Sequence, residues 1–126
     1  MTKTLPIKTA GALALALLAA VPARSLALDP VNGVYPKIFS PNGDNRNDVV
    51  NICLDNPNLA GFFGVVIDMS GAEVADLVDA GPNAACNDRM VWDGRDRNGR
   101  VVPAGLYLYK IEGSGSTVSG VVAVAL

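Results

Sequence analysis

The chain has 126 residues, of which 10 are basic, 12 are acidic and none is histidine, so its formal net charge is −2. With no histidine and only two cysteines, it lacks the ligands of an ordinary zinc site. It also lacks the imidazole base of the common catalytic triads, which excludes the hydrolases that depend on one.

Residues 1–27 have the pattern of a secretory signal peptide. Lys3 and Lys8 give a basic start, and residues 10–21 form an apolar run without a charge. The run has about a dozen residues, whereas a membrane-spanning helix needs about twenty. A cleaved signal is therefore favoured over a membrane anchor.

Small side chains predict where this signal is cleaved. Residues 25–27 place serine and alanine at the two positions that a signal peptidase reads, which predicts cleavage after Ala27. Residues 21–23 are a second candidate for the cleavage motif. We therefore expect a mature domain of residues 28–126 that is exported to the periplasm, the cell surface or the medium.

The predicted mature domain is small and acidic. The predicted signal contains three basic residues (Lys3, Lys8 and Arg24) and no acidic one, so about seven basic residues face twelve acidic ones and the net charge is about −5. A chain of about a hundred residues has room for one core. Its charge argues against nucleic-acid phosphates and anionic lipids as partners, and we expect no membrane span after cleavage.

Short apolar runs, separated by Gly, Pro, Asn and Asp, predict an all-β domain. In chain order, the predicted strands are residues 34–39, 49–54, 62–69, 72–78, 89–92, 101–111 and 117–126. Pro36 places the first of them at a sheet edge, and the nearly continuous apolar run of the third indicates a central strand. Seven strands in about a hundred residues predict an immunoglobulin-like β-sandwich.

Turn residues and alternation refine this prediction. Residues 68–71 and 96–99 each end in glycine and predict tight turns. After a predicted bend at residues 103–105, tyrosines 107 and 109 alternate with leucines 106 and 108. Because Lys110 lies on the leucine side, we expect the tyrosines to face the core. Trp92, Phe62 and Phe63 are predicted to be core residues as well.

Cys53 and Cys86 are the only cysteines. An exported chain meets oxidising conditions, and an even number of cysteines then favours a disulfide over two buried thiols. We therefore predict a Cys53–Cys86 bridge.

Asn42, Asp44, Asn47 and Asp48 bring four oxygen-bearing side chains into one short segment. Calcium binds to such acidic loops, so these residues are candidate ligands, although the closing glutamate of an EF-hand is missing. The alternative, which the sequence favours, is a network in which the side chains accept hydrogen bonds from backbone N–H groups. No other cofactor is expected.

Asp93 and Asp96 are the one pair of carboxylates that suggests catalysis, as in glycosidases. Aspartates in a turn are far more often structural. We therefore expect no enzymatic activity, and a small hydrolase is the least favoured of the functions considered.

Several segments carry a family resemblance. WDGRDRNGRVVPAGLYLYKI (residues 92–111) resembles the end of the immunoglobulin-like module of flagellar hook-capping proteins and many bacterial surface proteins. FSPNGDNRND (residues 39–48) resembles the opening motif of the gliding-motility-associated C-terminal domain, which usually reads close to F-x-P-N-G-D-G-x-N-D; here Asn45 replaces the second glycine. VVIDMSGAEVADL and the closing GVVAVAL are similar to that family's middle hairpin and last strand.

The resemblance covers residues 34–126 and implies a non-catalytic β-sandwich. In the gliding-associated family, such a domain commonly serves as a sorting signal for type IX secretion. We therefore expect an exported module for sorting, attachment or assembly, whose partners are envelope or extracellular proteins or the secretion machinery. The alternative is a free-standing structural or adhesion subunit with a weak calcium loop.

Overall fold

The structure is a computed structural model that describes residues 25–126. Within this range the regular elements are all strands, and no helix has the length and apolarity needed to cross a membrane. The strands are β1 (Ala27–Leu28), β2 (Val34–Tyr35), β3 (Ile38–Phe39), β4 (Val50–Asp55), β5 (Phe63–Ile67), β6 (Glu73–Asp76), β7 (Val78–Asp79), β8 (Asp88–Trp92), β9 (Gly105–Gly113) and β10 (Ser116–Val124).

The strands form two sheets. The first sheet has the order β1-β4-β8-β7, with β2 also paired to β4, and the second has the order β3-β10-β9-β5-β6. All pairs are antiparallel except β3 with β10. These orders correspond to the A-B-E-D and G-F-C-C′ arrangements of immunoglobulin domains. The predicted immunoglobulin-like β-sandwich is confirmed.

Two of the predicted strands are divided between the sheets. Residues 34–39 become β2 in the first sheet and β3 in the second, with Pro36, which has no N–H to donate, between them. Residues 72–78 become β6 in the second sheet and β7 in the first. Between these two strands, Leu77 is buried and donates its N–H to the Gly64 carbonyl at 2.9 Å. The chain therefore crosses between the sheets at two points that the sequence prediction treated as continuous strand.

An aromatic cluster fills one end of the core. The Trp92 ring packs edge-to-face against Phe39 and Tyr107, with centroids 5.5 and 5.4 Å apart. Trp92 is only 2% exposed, and its Nε1 donates to the Arg95 carbonyl at 2.9 Å. The Tyr107 hydroxyl donates to the Pro103 carbonyl at 2.6 Å, an arrangement like the tyrosine corner of immunoglobulin domains. The predicted core position of Trp92 is confirmed.

The alternation along β9 is also confirmed. Tyr107, Tyr109 and Ile111 are buried, whereas Leu106 and Lys110 are exposed on the outer face of the second sheet. The backbone of Gly105, with φ of 153°, marks the start of the strand after the predicted bend.

The predicted core position of Phe63 is wrong, because its side chain is 63% exposed. The reason lies in the next residue. A β-carbon at Gly64 would lie 2.7 Å from Leu77 Cδ1 and 3.0 Å from Ile111 Cγ1, so Gly64 occupies the tightly packed inward position. Since neighbouring side chains on a strand point to opposite faces, Phe63 must point outward. Phe62, before the strand, does pack against the core.

The fold begins before the predicted cleavage point. Leu26 is 4% exposed and belongs to the core cluster, and Ala27 pairs with Asp55 at the start of β1. Cleavage after Ala27 would remove both residues, whereas cleavage after Ala23 would retain them. The rest of the predicted signal, residues 1–24, lies outside the described residues.

The predicted disulfide is confirmed. Cys53 on β4 is bonded to Cys86, which lies in the connection between β7 and β8, with Cα atoms 5.2 Å apart. The Asn83 side chain holds this connection by accepting the N–H groups of Ala85 and Cys86 at 2.9 and 2.7 Å. In the chain-entropy model, a bridge over 33 positions stabilises the folded state by about 3–4 kcal/mol.

Candidate functional site at the polar end of the sandwich

The two polar stretches that stand out in the sequence meet at one end of the sandwich. Residues 40–48 follow β3, and residues 93–100 follow β8; together they are called the polar end below. A β-carbon at Gly94 would lie 2.6 Å from Pro41 Cγ and 3.2 Å from Phe39 Cε2. The two stretches are therefore in direct contact. A shallow groove of about 120 Å³ between them is lined by residues that include Asp48, Asp93 and Arg95.

Asp48 organises the first stretch. Its Oδ1 accepts the N–H groups of Asn42 and Gly43 at 3.1 and 3.0 Å, and its Oδ2 accepts the N–H of Asn45 at 2.7 Å. The carboxylate therefore binds three backbone donors of its own loop. A carboxylate in this position stabilises the loop through charge-assisted hydrogen bonds.

The remaining candidate calcium ligands take part in the same network. Asn42 Oδ1 accepts the N–H of Asp44 at 3.1 Å, and Asp44 Oδ1 accepts the N–H of Arg46 at 2.8 Å. Asn47 contributes its main-chain carbonyl, which accepts the N–H of Ser40 at 2.7 Å. These contacts are those of the Asx-turn alternative.

The backbone of this stretch also explains its residue types. Gly43, Asn45 and Asn47 have φ values of 78°, 64° and 52°, in the left-handed region that glycine and asparagine tolerate best. Asn45 stands where the resembled motif commonly has glycine, and asparagine is among the residues that tolerate its positive φ. Within residues 25–126 there is no group of three or more His, Cys, Asp or Glu side chains that could hold a metal ion. Calcium binding by Asn42, Asp44, Asn47 and Asp48 stays a prediction.

The aspartates of the second stretch also bind backbone N–H groups. Asp93 Oδ1 accepts the N–H of Arg95 at 3.1 Å. Asp96 Oδ1 accepts the N–H groups of Asn98 and Arg100 at 2.9 and 3.0 Å. Both carboxylates thus stabilise turns, and Gly99, with φ of 80°, completes the predicted turn at residues 96–99. Both aspartates therefore have a structural role in their turns.

A second, larger groove of about 570 Å³ runs beside the polar end. Its lining includes Arg97, which forms ion pairs with Glu73 and Asp76 at 3.1 and 2.8 Å. The hydrogen bond from Arg97 lowers the pKa of Asp76 below its ordinary value, and the same bond raises the pKa of Arg97. The groove is open, and two charged groups of its lining, Arg97 and Asp76, are paired with each other across the turn and β6.

The contact between the two polar stretches was not predicted from the sequence. They are about fifty residues apart in the chain, and the folded structure brings them together where Gly94 lies against Pro41. Gly94 was the available signal, because glycine is the residue used where a backbone takes a positive φ or approaches another group closely.

No protein-family model matches this chain, and no curated protein matches it either. The resemblance to the gliding-motility-associated C-terminal domain and to the hook-capping module therefore remains a prediction from the motifs themselves.

Proposed function

We propose that this protein is an exported, non-enzymatic β-sandwich module of the cell surface or extracellular space that acts in sorting, attachment or assembly. The observation that carries the proposal is the Cys53–Cys86 disulfide. Such bonds persist in oxidising compartments and are rare in the cytosol. The basic and apolar start of the chain supports the same location.

The geometry of the polar end supports a role without catalysis. Its most conspicuous carboxylates, Asp48, Asp93 and Asp96, bind backbone N–H groups of their own loops. A general acid or base needs a position from which it can reach a substrate proton, and these carboxylates are instead engaged in turns. The type IX sorting role comes from the resemblance of residues 39–48 and 92–111 alone.

A free-standing structural or adhesion subunit is the second candidate function. The outer face of the second sheet favours it, because it presents exposed apolar side chains on neighbouring strands, among them Ile38, Leu106 and Val121. Adjacent exposed apolar residues of this kind are typical of surfaces that contact other proteins. Partners would then be other envelope or extracellular proteins.

Export is tested by expressing the full chain and a variant that lacks residues 1–23, and then fractionating the cells. We expect the full chain outside the cytoplasm with no titratable thiols, and the truncated chain in the cytoplasm with two. Full-length protein found reduced in the cytoplasm would contradict the proposal.

Sorting is tested separately, by fusing residues 24–126 behind a signal peptide and a reporter enzyme in cells with type IX secretion. Surface or medium activity that disappears in matched cells without a working secretion channel supports sorting. Activity confined to the periplasm in both strains would leave the structural or adhesion subunit as the function.

A further inference from the structure

The second sheet has an open edge along β10. This strand pairs with β9 over all nine residues from Ser116 to Val124, but on its other side β3 pairs only with Ala123 and Val124. Ala123 donates its N–H to the Lys37 carbonyl at 3.0 Å, which shows which side of β10 its backbone groups face. Since these directions alternate along a strand, the N–H and C=O groups of Thr117, Ser119 and Val121 face the same way. Among residues 25–126, no strand pairs with them there.

The opposite edge of the same sheet is protected. The edge strand β6 has only four residues and carries Glu73 and Asp76, both paired with Arg97. Arg97 also donates its N–H to the Val74 carbonyl at 3.0 Å, and the pairing of β5 with β6 contains a register shift. Charges, covering segments and bulges are the devices by which proteins prevent edge strands from pairing with other chains.

Along residues 116–122 the open edge of β10 has no charge or bulge of its own, and only at its Val121 end does another segment, residues 28–34 with Lys37, line a groove beside it. Residues 116–122 have the sequence STVSGVV, which contains no charge and no proline. Their register with β9 is uninterrupted. The side chains of Thr117 and Ser119 are exposed, and that of Val121 is 52% exposed. The edge therefore presents a row of backbone donors and acceptors, and a second strand can add to it.

The free stretch has a centre. It extends from Ser116 to Val122, so Ser119 lies in the middle with three residues on either side. Ser119 is also one of the residues whose backbone groups face outward. These are the two conditions for an antiparallel pair of identical strands to be related by a two-fold axis.

We propose that the β10 edge pairs with the same edge of a second copy of this chain, antiparallel and about a two-fold axis at Ser119. Thr117 then lies opposite Val121 of the second copy, and Ser119 lies opposite Ser119. Each of the three facing pairs exchanges two backbone hydrogen bonds. A second copy fits this edge because two uncharged strands bring no like charges together, and because the symmetric dimer closes both open edges at once.

The dimer is measured by sedimentation velocity of the purified, disulfide-bonded chain over a range of concentrations. We expect a reversible monomer–dimer equilibrium. Ser119→Lys places two ammonium groups opposite each other on the axis and is expected to raise the dissociation constant at least tenfold. The matched control is Leu106→Lys, which adds the same charge on the exposed outer face of the neighbouring inner strand and should leave the dimer intact.

Amide hydrogen exchange distinguishes edge pairing from any other interface. The amides of Thr117, Ser119 and Val121 should exchange slowly at concentrations that favour the dimer and rapidly in Ser119→Lys. Those of Val118, Gly120 and Val122, which face β9, should be protected in both. A chain that stays monomeric at millimolar concentration would overturn the proposal. So would a dimer that persists in Ser119→Lys, or one in which the three outward amides exchange rapidly. The test uses purified protein, so its result does not depend on the proposed export.

Discussion

Gly94 meets two requirements at a single residue. Its φ is 76°, in the left-handed region, and a β-carbon there would lie 2.6 Å from Pro41 Cγ and 2.9 Å from Pro41 Cβ. Gly99, in the nearby turn, has almost the same φ of 80° but no atom within 4 Å of its β-carbon position. The two glycines therefore separate the cost of backbone strain from the cost of a steric clash.

We expect Gly99→Ala to lower the free energy of unfolding by about 1 kcal/mol, because only the backbone conformation becomes unfavourable. Gly94→Ala carries the same backbone cost and must also displace Pro41 and Phe39, which adds about 1–3 kcal/mol. Urea denaturation of both variants with the disulfide intact measures the difference. Equal destabilisation would mean that the polar stretches are not in the close contact described above.

Asp48 and Asp44 were both predicted as candidate calcium ligands, but the structure gives them unequal roles. Asp48 accepts three backbone N–H groups and Asp44 accepts one. Asp48→Ala leaves three backbone donors of an exposed loop without their acceptor, so we expect a loss of about 1–2 kcal/mol, against less than about 1 kcal/mol for Asp44→Ala, which removes one bond.

The same two variants test calcium. If the carboxylates serve only the backbone, the melting temperature of the wild type is the same in millimolar calcium and in chelator. If calcium binds, it stabilises the wild type, and the stabilisation is lost in both variants. The difference in stability between Asp48→Ala and Asp44→Ala, measured in chelator, is the internal control, because it does not depend on the metal.

At the scale of elements, the position of β1 indicates where the signal peptide is cleaved. Leu26 is a core residue and Ala27 pairs with Asp55, so the domain uses residues on the signal side of the predicted cleavage point. Truncating a buried leucine typically costs about 2–5 kcal/mol. For a domain of this size that is a large part of its total stability.

We therefore expect cleavage after Ala23, the second of the two motifs, and a mature chain that begins at Arg24. The intact mass of the exported protein decides between the two sites. A mature chain that begins at Leu28 would contradict this expectation. In purified protein, a chain that begins at Arg24 should have a higher midpoint of denaturation than one that begins at Leu28, because only the first retains the buried Leu26.

The two crossings between the sheets divide two of the seven predicted strands, so the sandwich has more strands than the sequence predicted. At Pro36 the missing N–H ends one strand pairing, and the chain resumes two residues later against β10 in the other sheet. At Leu77 the side chain turns into the core between the sheets. At both crossings the chain passes directly from one sheet to the other, which connects the two layers through β2–β3 and β6–β7.

At the scale of the whole molecule, acidic side chains connect stability to pH. The hydroxyl of Ser70 lowers the pKa of Asp68 below its ordinary value of 3.8, and backbone N–H groups add to the effect. The N–H groups of Asn32 and Val31 lower the pKa of Asp29, and Arg97 lowers that of Asp76. In each case the folded state favours the ionised carboxylate.

A carboxyl group whose pKa is lowered by folding stabilises the folded state above the unfolded pKa, and this contribution is lost as the pH falls through the folded value. We therefore expect the free energy of unfolding to fall as the pH is lowered from about 4 toward 2. Asp68→Asn should be less stable than the wild type at pH 6, with a smaller further loss in acid. Parallel curves for the two proteins would contradict the role assigned to Asp68.

Local residue pattern was enough to determine the class of fold, the turns and the disulfide. The alternation of residues 106–111 repeats every two residues, which only a strand satisfies, and Lys110 showed which side faces water. Each predicted turn was identified by a glycine within the turn itself. The disulfide was predicted from the number of cysteines, since the sequence has two.

The tertiary structure alone decided the features that depend on distant partners. Phe63 points outward because Leu77 and Ile111 occupy the space beside Gly64, and the two polar stretches meet because their strands enter one end of the same sandwich. The open edge of β10 exists because β3 is too short to cover it. Each of these outcomes is set by which strands pair and in what register, and pairing is a long-range competition for burial and backbone hydrogen bonds that no local pattern encodes.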